Sequence, residues 1–390
     1  MNYVNLVDVC DFQGGTQPPK DEWINSYEDG YIRMLQIRDF TQNRNEIEYV
    51  KIKPTIKTCK KDDILIARYG ASVGKILTGL EGAYNVAIMK TIPDLSKLKK
   101  RYLYYYLKSQ YFQNKISNVG SRAAQAGFNK GDLENFKIYI PNIEIQEKII
   151  KILDISQELI DKRKAQIEAL DELVKSQFIE MFGDPVTNPK NIKQVYLKDI
   201  SKLITKGASP NWQGIEYVDD DTQTLFVTSE NVRDGYIDLS KKKYLMDVFN
   251  EKQKRSVLNK GDFLINIVGA SIGRVAQFNL DVKANINQAV ALVRLKEGVI
   301  NDKYLLTYLN SPKALKMYES MQVSVARANL SLQNINDLEI LLPPIELQNQ
   351  FASFVKQVDK LKFEMQESLK ELEDNFKSLM QRAFKGELFN

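Results

Sequence analysis

Between Ile145 and Phe182 the chain reads IQEKIIKILDISQELIDKRKAQIEALDELVKSQFIEMF, about 38 residues with neither proline nor glycine. At ~1.5 Å of rise per residue this predicts one helix roughly 57 Å long. Leu153, Ile160, Ile167, Val174 and Met181 recur every seven residues, and Ile149 and Leu170 fall on a second line. Two such lines make an a/d seam, which needs a helical partner to cover it. The C-terminal stretch supplies one. Phe351, Val358, Met365, Leu372 and Leu379 form one line there, and Val355, Leu369, Phe376 and Ala383 the other. Ser156, Arg163 and Gln177 interrupt the second line of the first helix, and Lys362 that of the second. Isolated polar seam residues cost stability but fix register. The first helix leads across a short linker into the second globular stretch, so the second helix must run back, antiparallel to it.

The two globular stretches repeat each other. Lys61-Asp62-Asp63-Ile64-Leu65-Ile66 is answered by Lys260-Gly261-Asp262-Phe263-Leu264-Ile265. Gly70-Ala71-Ser72-Val73-Gly74-Lys75 is answered by Gly269-Ala270-Ser271-Ile272-Gly273-Arg274, an offset of 199. Tyr102-Leu103 and Tyr106-Leu107 match Tyr304-Leu305 and Tyr308-Leu309. Pro141-Asn142-Ile143-Glu144-Ile145-Gln146 matches Pro343-Pro344-Ile345-Glu346-Leu347-Gln348, an offset of 202. An offset this steady over so long a period means two copies of one domain-plus-helix unit, not a solenoid. The expected fold class is α+β: two similar domains of mixed α/β structure, each followed by a long helix, the helices pairing as an antiparallel coiled coil. The expected limits are a first domain over 1–143, its helix over 144–184, a second domain over 185–343 and its helix over 344–390. Residues 16–60 and 208–259 share little beyond Gln36-Ile37-Arg38-Asp39 against Asn231-Val232-Arg233-Asp234. One scaffold thus carries two different surfaces. Met34–Ile37, Ile64–Ala67 and Phe136–Ile140 read as short strands, and the tyrosine pairs as the buried face of a short helix.

Composition removes whole classes of function. Histidine is absent, which excludes His general bases, Ser/Cys–His nucleophiles and His metal sites. Two cysteines, Cys10 and Cys59, are too few for a disulfide framework or a Cys-rich zinc site and read as reduced structural thiols. No apolar run approaches a membrane span and the N-terminus has no secretory pattern, so a cytoplasmic protein with no membrane partner is expected. The net charge of +5 is uneven: +6 over 1–143, −3 over 144–182, +3 over 183–343 and −1 over 344–390. Basic domains on neutral-to-acidic helices suggest a polyanion, nucleic acid first, with a merely well-solvated lysine surface as the bland alternative.

No motif amounts to a catalytic set. Gly70–Lys75 is too short between its glycines for a phosphate loop, and Ile76 stands where Ser or Thr would hold magnesium. It reads as a strand–turn–strand with a cationic tip, which either meets a DNA phosphate or is simply solvated. Asp219-Asp220-Asp221 is read as a solvated acidic loop, because consecutive loop residues cannot all point at one ion. Asp184-Pro185 and Asn188-Pro189 are the helix stop and linker.

The duplicated Lys/Gly-Asp-x-Leu-Ile and Gly-Ala-Ser-x-Gly-Lys/Arg blocks, with the two Pro-x-Ile-Glu-x-Gln junctions that enter long helices, resemble the specificity subunit of type I restriction–modification systems. The resemblance covers the whole chain. It implies two target-recognition domains that read the halves of an asymmetric bipartite site on double-stranded DNA, in a subunit without catalysis of its own. It further implies two methylation subunits using S-adenosylmethionine, and restriction and translocation subunits using ATP and magnesium. Together these make a site-specific deoxyribonuclease and adenine methyltransferase complex, with no cofactor on this chain. Arg, Asn and Gln on loops of the variable segments are the expected DNA contacts. They are Arg33, Arg38, Arg68, Arg122 and Gln125 with Lys75 in the first copy, and Asn231, Arg233, Arg274, Arg327 and Asn329 in the second. A second reading, from another class, is a non-enzymatic coiled-coil scaffold whose basic domains bind protein partners.

Overall fold

A computed structural model describes residues 3–42, 46–120, 127–321 and 329–389. The chain forms two compact units, and each draws on both long helices: residues 1–165 with 366–390, and residues 166–365.

In the first unit a four-stranded antiparallel sheet runs in the order Cys10–Gly14, Ile88–Pro93, Leu65–Ala67, Ile76–Leu77. A second sheet orders Trp23–Ile24, Tyr49–Lys51, Tyr31–Leu35, Gly82–Tyr84 and Thr58–Cys59, with Met34 and Ala83 in a parallel pair. A two-stranded ribbon joins Tyr3–Asn5 to Lys137–Tyr139. The second unit repeats the plan. Its antiparallel sheet orders Ser201–Lys206, Val290–Leu295, Phe263–Asn266 and Val275–Gln277. Its second sheet orders Tyr217–Val218, Tyr244–Leu245, Thr224–Val227 and Ala284–Ile286, again with a parallel pair, Leu225 and Ala284. Gln194–Tyr196 pairs with Glu339–Leu341. The segments that share almost no sequence therefore share their topology.

The repeated motifs have structural explanations. The aspartate of each Lys-x-Asp block caps the turn before its strand: Asp63 Oδ2 accepts from Lys60 N at 3.0 Å, and Asp262 Oδ2 from Asn259 N at 2.7 Å. The tyrosine pairs are fully buried, and their hydroxyls hold the ribbon strand in place. Tyr102 and Tyr106 donate to the carbonyls of Tyr139 and Lys137 at 2.9 and 3.0 Å. Tyr304 and Tyr308 donate to those of Leu341 and Glu339 at 2.8 and 3.0 Å. At the junctions, buried Gln146 accepts from Lys99 N at 3.0 Å and donates to Lys97 O and Pro141 O. Buried Gln348 likewise accepts from Asn301 N at 2.8 Å and donates to Pro343 O at 2.7 Å.

The long helices span Ile143–Phe182 and Ile345–Phe384. In the first unit Ile149 and Leu153 share a core with Met380, Ala383 and Phe384, so the start of one helix lies by the end of the other. In the second unit Phe178 and Phe182 share a core with Phe351 and Val355, the same antiparallel arrangement. Lys362, the polar seam residue, pairs with Asp171 at 2.5 Å.

Three expectations need correction. The strand at Met34 stops at Leu35: Gln36 N donates to Asp39 Oδ2 at 2.6 Å, and a short helix begins at Ile37. The match of residues 36–39 to 231–234 is three residues out. Leu35 O accepts from Asn85 N, as Val227 O does from Asn287 N, which sets 36–39 against 228–231. Asn231, not Asp234, is the counterpart of Asp39, and it caps the same turn by accepting from Thr228 N at 2.9 Å. Gln177, placed on the seam by strict heptads, is displaced by Phe178, which is 3% exposed and stacks on Tyr304 at 5.6 Å. Beyond Leu170 the covered residues step by four, through partly buried Val174 and buried Phe178 to Phe182. There the helix meets the aromatic core of a domain as well as a helix, and each step of four turns the covered face by about 40°, winding it from one onto the other.

Candidate nucleic-acid interface

In each unit four connections converge on one edge of the antiparallel sheet. The first is the glycine turn. Strands Leu65–Ala67 and Ile76–Leu77 are antiparallel, as are Phe263–Asn266 and Val275–Gln277, and Gly70–Ser72 and Gly269–Ser271 coil between them. The second glycine of each turn has left-handed φ, +82° at Gly74 and +85° at Gly273. A Cβ there would stand 2.7 Å from Ile116 Cγ2 or 2.5 Å from Tyr318 Cδ2. The motif is thus a packing device that presents Lys75 or Arg274 next to it.

The second connection is Asn85-Val86-Ala87, or Asn287-Gln288-Ala289. Ala87 O accepts from Arg68 N at 2.8 Å, and Ala289 O from Ile267 N at 2.9 Å, tying this turn to the strand that enters the glycine turn. The third connection leaves at Gly15 or Gly207, where a Cβ would strike Asn85 O at 2.2 Å or Ile286 O at 1.9 Å. The fourth is the chain at Gly127–Phe128 or Asn329–Leu330. It bridges Tyr69 with Gly127 and Val268 with Asn329, and Phe128 N and Leu330 N donate to Arg68 O and Ile267 O.

The expected contact residues divide into three groups. Arg68 is internal stitching: its Nε donates to Phe128 O at 3.1 Å and its Nη1 to Val86 O at 3.3 Å. Arg33 pairs with Asp39 at 3.2 Å, and its buried Nε has no partner among the described residues. Arg38 pairs with Glu48 at 2.5 Å, and Arg233 with Asp238 at 3.4 Å. Asn231 is 5% exposed, and its amide is spent on Thr228, Asp238 O and Lys241 O. Its amide is thus taken up by the turn. The second group is available. Lys75 and Asn329 are exposed and Arg274 is half-buried, and none makes a side-chain ion pair or hydrogen bond among the described residues. Arg122, Gln125 and Arg327 lie outside the described residues, although the chain on their C-terminal side enters the edge at Gly127 and Asn329.

The variable segments reach the same place differently. In the first unit the short helix brings Phe40 and Thr41 beside Lys75, Lys108 and Gln113 around an open cavity of about 470 Å³. In the second, a loop bridged between Val232 and Ile237 leans over the glycine turn, with Gly235 N donating to Val275 O at 2.8 Å. Reasoning from sequence missed the Asn-x-Ala turn, whose signal was an Asn and an Ala repeated at offset 202 around a residue that differs.

Chemistry of other kinds finds no support here. Burial pushes the Cys10 thiol up to about 12 and the Cys59 thiol to about 11, so neither is a nucleophile near neutral pH. Among the described residues no cluster of acidic or cysteine side chains could hold a metal ion. Asp220 instead accepts from Thr222 N and Oγ1.

A mixed α/β domain built twice, with one frame presenting different side chains at the same edge, defines a duplicated recognition protein. The family model for the type I restriction modification DNA specificity domain matches residues 1–169 and 189–374, and the chain belongs to that family. It is a specificity subunit of that kind. It is 23% identical over 394 residues to the specificity subunit of type I restriction enzyme EcoBI from Escherichia coli, covering 95% of this chain and 82% of that one. It is 24% identical over 406 residues to the MjaVIII specificity subunit from Methanocaldococcus jannaschii, covering 99% and 92%. Among solved structures, a chain from a study of complex assembly and conformational transition in the type I R-M system matches with TM-score 0.63 at 17% identity. That match covers 99% of this chain and 98% of the other. The type I S subunit from M. genitalium matches with TM-score 0.52 at 16% identity, covering 98% and 96%. These likenesses bear out the mixed α/β fold, and none supports the protein-binding scaffold. Among the described residues no helix is long and apolar enough to cross a membrane.

Proposed function

We propose that each unit reads one half of an asymmetric, bipartite site on double-stranded DNA. The chain also scaffolds two methylation subunits that use S-adenosylmethionine, and restriction and translocation subunits that use ATP and magnesium. The observation that carries this reading is the repeated edge: four connections held by equivalent backbone bonds in both units, with different exposed side chains upon them. A common frame lets both units approach a duplex alike, while the differing side chains make the two half-sites different. Lys75, Arg274 and Asn329 are the described contacts we retain, with Arg122, Gln125 and Arg327 on the adjoining segment. The reader domains extend over 1–143 and 185–343, and the complex works in the cytoplasm beside the DNA it marks.

Methylome sequencing of a strain expressing the chain with its methylation subunits tests this directly. The expected result is one modified motif with two unlike halves and a gap of fixed length. Modification without such a motif would overturn the reading.

A further inference from the structure

Resting on that reading, we propose that Gln288 contacts an A·T base pair in the half-site of the second unit, while Val86 holds the corresponding place in the first. Both residues sit in the middle of a three-residue turn whose frame is the same in the two units. Asn85 Oδ1 accepts from Ala87 N, and Asn287 Oδ1 from Ala289 N, each at 3.2 Å. Asn85 N and Asn287 N each donate at 3.1 Å to the end of the neighbouring parallel strand, at Leu35 O and Val227 O. On the far side, Ala87 O and Ala289 O are held by the strand that enters the glycine turn, and Gly15 and Gly207 press on the chain beside the turn.

The outer residues of the turn are thus spent on holding it, and the middle side chain is left over. Val86 is 40% exposed. Gln288 is also exposed, and its amide makes no hydrogen bond among the described residues. The turn lies between the glycine-turn strand, which also receives Asn329, and the connection leaving at Gly207. That puts Gln288 within the edge that carries Arg274, on a rigid turn clamped on three sides. A glutamine amide sets a donating NH2 beside an accepting oxygen, the pairing that adenine N7 and N6 complement in the major groove. Valine offers only an apolar surface, which suits a thymine methyl or no contact at all. Rigid placement matters because a reader amide that wandered would lose its advantage to entropy.

The test is selection from DNA pools randomised in both half-sites, using the assembled complex of this chain with its methylation subunits at low salt. Wild-type, Q288V, Q288A and V86Q chains are compared, with thermal melts as a check on folding. Wild type should select one bipartite motif; failure to do so would sink the function proposed above, before any substitution is considered. Q288V and Q288A should lose a preference of about 5- to 150-fold at a single A·T position of one half-site and leave the other half unchanged. V86Q should alter only the opposite half-site. Three outcomes would overturn the proposal: an unchanged motif, relaxation at a G·C pair, or loss of preference across the whole half-site, including loss of binding. The last would make Gln288 part of the frame.

Discussion

Gln146 and Gln348 hold equivalent junctions 202 residues apart, each fastening the start of a long helix to the start of a short one. Both are fully buried with amides satisfied. Replacing Gln348 by leucine would strand Asn301 N–H and Pro343 C=O without water, so a loss of about 2–3 kcal/mol is expected, read from urea melts. Asp63 offers a test in pH. Burial pushes its carboxyl up, but Lys60 N–H and the ammonium groups of Lys90 and Lys100 outweigh that and bring it down to about 2. A carboxylate whose pKa falls on folding stabilises the fold above its unfolded pKa near ~4, and that contribution fades as pH drops from there towards 2. The full contribution is about 2–3 kcal/mol. The D63N chain should therefore be less stable at neutral pH and show a shallower loss of stability over that acid range. Equal acid sensitivity in both chains would rule the assignment out.

The glycine turn and the long helices carry the argument at the scale of elements. Gly269 has φ of +78° with open space around its Cβ direction, whereas Gly273 combines φ of +85° with a 2.5 Å approach to Tyr318. Alanine at Gly269 should cost only the left-handed backbone penalty, ~1–2 kcal/mol. At Gly273 it must also move a buried ring, so a larger loss is expected, about 3 kcal/mol or more, and calorimetry would rank the two. The seam gives a second contrast. Phe178 packs against Tyr304, Phe182 and Phe351, while Gln177 beside it is only partly covered. Alanine at Phe178 should cost ~3–5 kcal/mol, and at Gln177 no more than about 0.5. The opposite ranking would restore the strict heptad.

For the whole molecule, the composition of the units decides how the chain can be recombined. The core of the first unit is completed by Met380, Ala383 and Phe384, with Phe384 at 5.1 Å from Tyr102 and 5.6 Å from Tyr106. Phe182 fills the matching place in the second unit, at 4.7 Å from Tyr304. Importing residues 1–141 from a relative should change one half-site but leave a foreign core against native C-terminal side chains. Importing 366–390 with 1–165 should make the same change in specificity at a higher melting temperature. Equal melting temperatures would show that the C-terminal residues add nothing to the core. Binding by the complex should also fall ~10³–10⁵-fold between 50 and 200 mM salt if roughly 6–10 phosphates are neutralised, and a flat response would count against DNA.

The sequence by itself determined the duplication, the long helices with most of their seam, and the absence of histidine chemistry. These are written in periodicity and composition, which depend on neighbours along the chain. It also marked the repeated glycine, tyrosine and Pro-x-Ile-Glu-x-Gln motifs, because a side chain doing one job at equivalent places keeps its identity. Only the tertiary structure decided what those jobs are, and which polar residues are spent. Arg68 and Asn231 look like readers in a string of letters, yet their hydrogen bonds close on carbonyls up to 60 residues away. Gln288 looks like any surface amide. Its place at the edge rests on the bond its neighbour Asn287 donates to Val227 O and the one Ala289 O accepts from Ile267 N, and such contacts between distant segments exist only once the chain has folded.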